Sequence, residues 1–312
     1  MDSAIKNNNG EALRRKIAKR DKRRQKAVYF VMLAPFFVLF FLFTVLPVLS
    51  SVVLSFFDFD AVSMPKWAGL DNYMRMFLED DIFPKALSNT LVFAVITGPI
   101  GFFLSFMLAW MVNEFGPTIR TILSFLFYAP ALTGNVYFVW QVLFSGDAYG
   151  YMNSLLISLG LITDAIQWLK NPQYVLTIIV IVQLWLSLGT TFLSNIAGLQ
   201  NVNPELYEAG AIDGIKNRWH ELWYITLPSM KSILMFGMVM QIQSAFSVSA
   251  VPMTLAGFPS VNYSAETIVT LLTDVGTARY EMGYAAAISV VLFILMSLTK
   301  ELLAKFVNLA GR

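Results

Sequence analysis

The residues of this chain that are best suited to chemistry are neutral polar and aromatic side chains within long apolar segments. The sequence has no cysteine and a single histidine, His220, which excludes disulfides, thiol chemistry and a histidine metal cluster. Amides and hydroxyls can hydrogen-bond the hydroxyl groups of a sugar, and an aromatic ring can lie against its apolar face. The candidates for such contacts are Gln183, Trp185, Ser187 and Thr190, followed by Gln241, Gln243, Ser244, Ser247 and Ser249. An earlier segment adds Asn135, Tyr137, Trp140 and Gln141.

The segments that must position these side chains are typical of a membrane protein. The chain is 57% hydrophobic and 13% charged, with a mean hydropathy of +0.62, whereas a soluble chain carries about 25% charged residues. Six runs lack Asp, Glu, Lys and Arg and reach about 18 residues or more, enough for a helix to cross the bilayer core. They are residues 27–57, 86–112, 121–144, 174–199, 232–255 and 282–299. We therefore predict an all-α integral membrane protein with six transmembrane helices.

The neutral polar residues in these spans also have a structural interpretation. Amides and hydroxyls commonly form hydrogen bonds between membrane helices, and serine often bonds the backbone of its own helix. Tryptophan near the end of a span often anchors the span at the membrane interface. The sequence leaves open which candidates contact a ligand and which join the helices to one another.

The distribution of basic residues predicts the orientation. Most of the 22 Lys and Arg residues lie in the N-terminal tail, in the loops after the second and fourth spans, and at the C-terminal end. Because cytoplasmic segments are enriched in basic residues, both termini are predicted to be cytoplasmic. The predicted domains are a basic cytoplasmic tail, residues 1–26, and a six-helix domain, residues 27–312. On the outer side, residues 151–170 are predicted to form an amphipathic helix at the membrane surface, with Trp168 among the lipid headgroups.

The absence of charged residues from the predicted spans bears on how a solute would be moved. Carriers coupled to protons or ions usually place ionisable groups inside the membrane, so a self-energised carrier is disfavoured. Sodium coupling through backbone carbonyls and a passive pore stay open. The chain also lacks the G-x-x-x-x-G-K-[ST] phosphate loop, so we do not expect it to hydrolyse ATP itself. We predict no catalytic residue and no metal site in this chain.

The loop between the fourth and fifth spans, residues 203–228, is predicted to offer a partner its attachment site. Asn203 is the expected N-cap, and Pro204 the first residue, of a short helix that ends near residue 212. Gly214 is expected to break this helix, because glycine readily adopts a left-handed turn. A second short helix, residues 216–224, is expected to stop before Pro228.

The same loop carries a family resemblance. Its Glu208-Ala209-Gly210, Asp213-Gly214 and Ile225-Thr226-Leu227-Pro228 segments resemble the "EAA" loop of ABC importer permeases. In that family the loop forms the coupling helix, which sits in a groove of the ATPase subunit; we therefore call residues 203–228 the coupling loop. Gly210 departs from the usual alanine, which is expected to loosen the first helix by up to about 1 kcal/mol. The resemblance implies ATPase-coupling roles for Glu208, Ala209, Gly210, Asp213, Gly214, Ile225, Leu227 and Pro228.

Further segments resemble the sugar-importing branch of this family. These are residues 69–73 (Gly-Leu-Asp-Asn-Tyr), Asn89-Thr90, and residues 197–200 followed by 204–207. The chain is most similar to the larger permease of maltose and glycerol-phosphate importers, without the long outer domain of the maltose version. In permeases of the maltose type, substrate contacts lie on the fourth and fifth spans, which favours Gln183 and Trp185 among the candidates.

This resemblance implies a six-helix type I importer permease in a bacterial inner or plasma membrane. The implied partners are a homologous second permease, two ATPase subunits that bind the ATP and Mg²⁺, an extracytoplasmic binding protein and the sugar. A neutral sugar is favoured, because the spans hold no Arg or Lys to pair with an anion. Glycerol phosphate or another small polar solute, and a self-contained carrier, stay open as alternatives.

Overall fold

The computed structural model describes Gln25, residues 28–134 and residues 136–310, with side chains described as far as residue 305. Most of the predicted tail, residues 1–26, together with Asn135 and Arg312, lies outside the described residues. The chain divides into two compact units, Met1–Leu54 and Ser55–Arg312. The described part of the first unit is essentially one apolar helix, α1 (Val28–Leu54), which contains a π-helical turn at Phe41–Val45.

The regular elements described in the second unit are helices, apart from one short hairpin. The two hairpin strands are β1 (Phe57–Asp58) and β2 (Lys66–Trp67), which pair antiparallel. The α-helices are α2 (Asp71–Met74), α3 (Ile82–Asn113), α4 (Pro117–Leu132), α5 (Phe138–Leu143), α6 (Tyr151–Ser158), α7 (Val175–Leu186), α8 (Thr190–Gln200), α9 (Pro204–Ile212), α10 (Arg218–Glu221), α11 (Lys231–Phe246), α12 (Ala250–Leu255), α13 (Ile268–Thr273) and α14 (Met282–Ala310). π-Helical turns extend α2 over Arg75–Glu79, α10 over Leu222–Thr226 and α13 over Asp274–Ala278, and Leu227–Ser229 forms one further α-turn.

Five helical stretches of the described residues are long and apolar enough to cross a membrane. They are α1, α3, α7 with α8, α11 with α12, and α14. Their bounds follow five of the predicted charge-free runs closely, since a helix satisfies its own backbone polar groups in lipid. The predicted fold class, an all-α membrane protein, is confirmed, while the count of six spans stays a prediction.

The predicted third span, residues 121–144, is divided in the structure. Helix α4 ends at Leu132, Thr133 is extended (φ −98°, ψ 106°), and helix α5 begins only at Phe138. Pro130 lies in the last turn before the break and Gly134 lies within it, and both are residue types that weaken a continuing helix. An apolar run therefore predicts burial in lipid here without predicting one uninterrupted helix.

The predicted surface helix at residues 151–170 is also shorter than expected. Helix α6 ends at Ser158, and the chain then turns back on itself. The Trp168 indole Nε1 donates a 2.8 Å hydrogen bond to Oδ1 of the fully buried Asn153, and its ring contacts Phe144. Trp168 thus packs inward, because it has a buried polar partner that a surface position would not provide.

The hairpin and the residues after it form a compact unit at one end of the bundle. Asn72 donates its side-chain amide to the backbone oxygens of Ser55 and Phe57 at 2.9 and 3.0 Å. The Tyr73 hydroxyl donates to Ser55 Oγ at 2.8 Å. Asn72 and Tyr73 of the Gly-Leu-Asp-Asn-Tyr segment at residues 69–73 therefore fix the start of the second unit.

Candidate functional site

The first half of the coupling loop folds as predicted. Asn203 Oδ1 accepts a 3.1 Å hydrogen bond from the backbone N–H of Glu205, so Asn203 is the N-cap of α9. At the other end, the N–H of Ile215 donates to the Gly210 oxygen at 2.9 Å. Gly214 lies between them with φ +92°, a conformation that glycine adopts without steric cost. The predicted N-cap and the predicted glycine break are both confirmed.

The second half of the coupling loop differs from the prediction of a helix at residues 216–224. The observed helix starts two residues later than predicted, at Arg218, where Asn217 Oδ1 accepts a 3.0 Å hydrogen bond from the N–H of Trp219. It also continues beyond Pro228, so the prediction of a stop before this proline is wrong. The π-helical turn at Leu222–Thr226 shifts the hydrogen-bond pattern, and Pro228, which has no N–H to donate, then falls in the first turn of the next α-helical segment.

The two halves of the coupling loop pack closely against each other at Gly210. A Cβ atom at this position would lie 2.6 Å from Ile225 Cδ1, and both residues are buried. The Tyr207 hydroxyl and Thr226 Oγ1 join the same two segments at 2.9 Å. Glycine in place of the usual alanine therefore permits close approach, which the sequence comparison could not reveal.

The proposed coupling residues fall into two groups by exposure. Gly210 and Ile225 are buried and Leu227 is partly buried, so these three also have packing roles within the loop. The exposed members are Glu208, Ala209, Asp213, Gly214 and Pro228. Large apolar side chains are exposed beside them, namely Ile212 (87%), Trp223 (65%) and Tyr224 (72%). Apolar surface of this kind, rimmed by polar residues, is typical of a protein interface.

The coupling loop is also joined to the end of α3, through residues that the sequence did not single out. Arg218 pairs with Glu114 of the α3 C-cap at 2.7 Å and with Glu221 at 2.9 Å. The hydrogen bond to Glu221 raises the pKa of Arg218, which stays charged. The rings of Trp219 and Trp110 lie 5.3 Å apart beside this ion pair. No sequence signal predicts the Arg218–Glu114 pair, because its partners are 104 positions apart.

Two of the predicted substrate contacts, Gln241 and Ser187, belong to a buried polar crossing of α3, α7, α8 and α11. Gln241 Nε2 donates to the Thr97 oxygen at 3.2 Å, and its Oε1 accepts from Thr191 Oγ1 at 3.4 Å. Ser187 Oγ donates to the backbone oxygen of Leu184 at 2.6 Å. Gln241 and Ser187 meet around Gly101, where a Cβ atom would overlap both side chains. Gln241 therefore joins three helices, whereas the Ser187 hydroxyl bonds the backbone of its own helix, and both roles match the structural interpretation of such residues.

The other polar candidates on α8, α11 and the turn after it are exposed. They are Thr190, Gln243, Ser244 and Ser247. Their side chains make no hydrogen bond to any described residue. An amide or hydroxyl facing hydrocarbon without a partner costs about 2–7 kcal/mol. We infer that this face adjoins water, a polar ligand or another protein rather than lipid tails.

Gln183 and Trp185 of α7 lie on different faces of the helix, since residues two positions apart do not face each other. Gln183 is 8% exposed, and its amide makes no hydrogen bond to a described residue. The Trp185 ring contacts the Trp140 ring, with 5.5 Å between their centroids. Gln141, beside Trp140, is exposed, whereas Tyr137 and Ser249 are partly buried. The structure thus does not form a single cluster from all of the predicted contacts.

Comparison with known proteins agrees with this arrangement. A family model described as binding-protein-dependent transport system inner membrane component matches residues 99–308. The chain is 30% identical over 290 residues to the probable ABC transporter permease protein YesP of Bacillus subtilis, covering 92% of each chain. It is 30% identical over 274 residues to the arabinooligosaccharides transport system permease protein AraP of the same organism, covering 87% of this chain and 86% of AraP.

A solved structure has the same fold. It is the crystal structure of a bacterial alginate ABC transporter in complex with an alginate pentasaccharide-bound periplasmic protein, in which one chain matches with a TM-score of 0.72 and 23% identity. The match covers 94% of this chain and 96% of that chain. Together with the extent of the family match, this fold identifies the chain as a multi-pass ABC transporter permease that belongs to the family of binding-protein-dependent transport system inner membrane components.

Proposed function

We propose that the cargo of this permease is a neutral oligosaccharide. The observation that carries the proposal is the set of one amide and three hydroxyls without hydrogen-bond partners on α8, on α11 and in the turn after α11. All four lie within the charge-free runs 174–199 and 232–255. Neutral polar groups match the hydroxyls of a sugar, and an anionic cargo would favour Arg or Lys in the pathway. The similarity to the arabinooligosaccharide permease AraP supports this choice of cargo.

The proposed substrate contacts are hydrogen bonds from Gln183, Thr190, Gln243, Ser244 and Ser247, and a ring contact from Trp185. Gln241 holds the helices that carry them together through the bonds described above, and the Ser187 hydroxyl bonds its own helix. In this arrangement the exposed polar face of α11 forms one wall of the translocation pathway. A homologous second permease forms the opposite wall.

The energy for transport comes, in this proposal, from two ATPase subunits that bind ATP and Mg²⁺; this chain supplies no catalytic residue. A loaded extracytoplasmic binding protein docks on the outer side, and closure of the ATPase subunits moves the coupling loop. That motion opens the permease pair outward, and hydrolysis returns it to the inward-open state. Both termini and the coupling loop then lie in the cytoplasm, as the basic residues predict.

The test is uptake by membrane vesicles that contain the complete transporter and its binding protein. The solutes are arabino-oligosaccharides, lactose and glycerol phosphate, each measured with and without internal ATP. We expect ATP-dependent uptake of an oligosaccharide and at least a tenfold loss in the Gln243→Leu variant. Gln200→Leu makes the same change at an exposed glutamine at the end of α8 and should leave uptake unchanged.

Three results would contradict the proposal. Uptake of glycerol phosphate alone would replace the proposed cargo with a small anion. Uptake without ATP or the ATPase subunits would indicate a self-contained carrier. Equal losses in the Gln243→Leu and Gln200→Leu variants would remove the α11 face from the pathway.

A further inference from the structure

A cavity with a mixed polar and apolar lining lies at the end of the bundle opposite the coupling loop, away from the polar face of α11. Its volume is about 390 Å³, which falls within the range of small-molecule sites. It lies between the loop that follows α5, the loop before α7 and the end of α12. Its lining includes Gln141, Phe144, Asp147, Gln167, Lys170 and Thr254. Under the proposed function, this end of the bundle faces the outside.

The rim of this cavity is held in place by one buried amide. Asn153 is fully buried, and its Nδ2 donates to the backbone oxygens of Ser145, Asp147 and Ile166 at 3.1 to 3.2 Å. Its Oδ1 accepts from the Ile166 N–H at 3.2 Å and from Trp168 Nε1 at 2.8 Å. A single side chain therefore fastens together the two loops that line the cavity. Such support keeps a binding site in one conformation before the ligand arrives.

Several polar groups in the cavity lining are available to a ligand. The side chains of Gln141, Lys170 and Thr254 make no hydrogen bond to any described residue. Asp147 accepts one bond from Ser145 Oγ at 2.9 Å through Oδ2. Because the lining holds one ammonium and one carboxylate, it has no net charge. Donors and acceptors without net charge suit a hydroxyl-rich neutral molecule rather than an anion.

Packed aromatic rings join the cavity lining to Trp185 of the proposed substrate pathway. Phe144, which lines the cavity, stacks on Trp140 with 6.0 Å between ring centroids and 10° between planes. Trp140 contacts Trp185, the ring proposed to bind substrate, at 5.5 Å. Two ring contacts therefore connect the cavity with Trp185. The three rings thus form one packed aromatic group from the cavity lining to Trp185.

We propose that this cavity is an outer glycosyl subsite, in which Gln141, Lys170 and Thr254 hydrogen-bond one sugar unit of an oligosaccharide whose remaining units extend toward Trp185. This inference rests on the proposed function, because it takes the cargo to be an oligosaccharide. It adds a second binding position, on different residues and on the outer side of the pathway. A short cargo fills the inner position alone, whereas a longer cargo occupies both.

The test is binding of arabinobiose and arabinopentaose to the purified complete transporter without its binding protein, measured by isothermal titration calorimetry. Two lost hydrogen bonds to sugar hydroxyls weaken binding about tenfold. We therefore expect the Gln141→Ala/Thr254→Val double variant to raise the Kd for arabinopentaose about tenfold and to leave that for arabinobiose unchanged. Lys170→Met is expected to act in the same length-dependent way. Gln173→Ala changes an exposed outer glutamine outside the cavity lining and is the matched control.

A merely structural effect of these variants would weaken binding of both sugars equally, and that result would overturn the subsite. Unchanged arabinopentaose binding in the double variant and in Lys170→Met would overturn it as well. If the wild-type transporter neither binds nor takes up either arabinose oligomer, the proposed cargo fails and the subsite fails with it. Uptake of both oligomers with no difference among the variants removes the subsite alone.

Discussion

At the scale of single residues, the closest approach in the coupling loop is set by Gly210 and Ile225. A methyl group at position 210 fits only if the Ile225 side chain moves, since its terminal carbon would be 2.6 Å away. The family resemblance presents Gly210 as a departure that loosens a helix, and the geometry gives it a second role. Alanine at position 210 would stabilise the helix by its higher helix propensity and destabilise the loop by crowding Ile225. The measured stability of the variant shows which effect is larger.

We predict that Gly210→Ala lowers the thermal stability of the purified transporter. Overpacking costs about 1–3 kcal/mol, which exceeds the roughly 0.5–1 kcal/mol that alanine gains over glycine within a helix. Ile225→Val removes Cδ1, the atom that the new methyl would meet, and should restore stability when combined with Gly210→Ala. The measurement is the unfolding midpoint of the two single variants and the double variant. Strictly additive effects would show that this contact does not limit the approach.

At the scale of single residues, the sequence does not predict which polar candidates join helices and which face a ligand. Composition and spacing identify Gln183 and Gln241 equally well as amides within apolar spans. Only tertiary packing distinguishes them, because Gln241 finds partners on two other helices whereas Gln183 makes no hydrogen bond to a described residue. Hydrogen-bond partners separated by 144 positions leave no local pattern in the chain. The candidate list was therefore predictable, and the role of each candidate was not.

At the scale of elements, most spans are predictable because lipid allows few solutions. A long charge-free run must form a helix, and the bounds of α3 and of α7 with α8 lie within a few residues of those expected. The break between α4 and α5 and the π-helical turn before Pro228 are not predictable in this way. Both occur inside sequences whose hydrophobic pattern continues unchanged, so that pattern does not reveal the change in backbone geometry. Pro130 and Gly134 weaken a helix near the first break but do not fix where it falls.

The link between the coupling loop and α3 belongs to this scale, because it joins two elements through Arg218 and Glu114. Helix α3 also carries Thr97 and Gly101, which contact Gln241 of α11. A displacement of the coupling loop can thus reach the polar crossing through one continuous helix. The ion pair itself is largely exposed, so its contribution to stability is about 0.2–1 kcal/mol.

We predict that Arg218→Glu lowers solute uptake per ATP hydrolysed while changing the unfolding midpoint little. Combined with Glu114→Arg, it should recover most of the uptake, since the exchanged charges can pair again. Lys216→Glu reverses a neighbouring exposed charge that makes no described ion pair, and it should retain coupling. High salt should weaken wild-type coupling in the same direction, because exposed pairs are screened. Failure of the charge exchange to restore uptake would assign Arg218 another role.

At the scale of the whole molecule, two surfaces of opposite character lie at the two ends of the helical bundle. One is the coupling loop, with exposed Ile212, Trp223 and Tyr224 beside Glu208 and Asp213. The other is the outer end, where the buried Asn153 joins the two loops that line a cavity with several polar side chains. A protein partner favours the first kind of surface and a small hydroxyl-rich ligand favours the second. A permease that receives energy from ATPase subunits at one end and substrate at the other requires two such different ends.

The apolar side chains of the coupling loop give the proposed ATPase contact its area, and Glu208 gives it a charge to match. We predict that Glu208→Lys releases the ATPase subunits from the tagged chain during purification in mild detergent while the second permease remains bound. A reversed charge at the centre of an interface costs several kcal/mol, enough to lose a partner on dilution. Glu301→Lys, the same change at an exposed residue of α14 outside the loop, should retain every subunit. Joint loss of the ATPase and the second permease would indicate a misfolded chain, which an altered unfolding midpoint would reveal. Retention of the ATPase by the Glu208→Lys variant would place the contact elsewhere and require another role for the exposed face of α9.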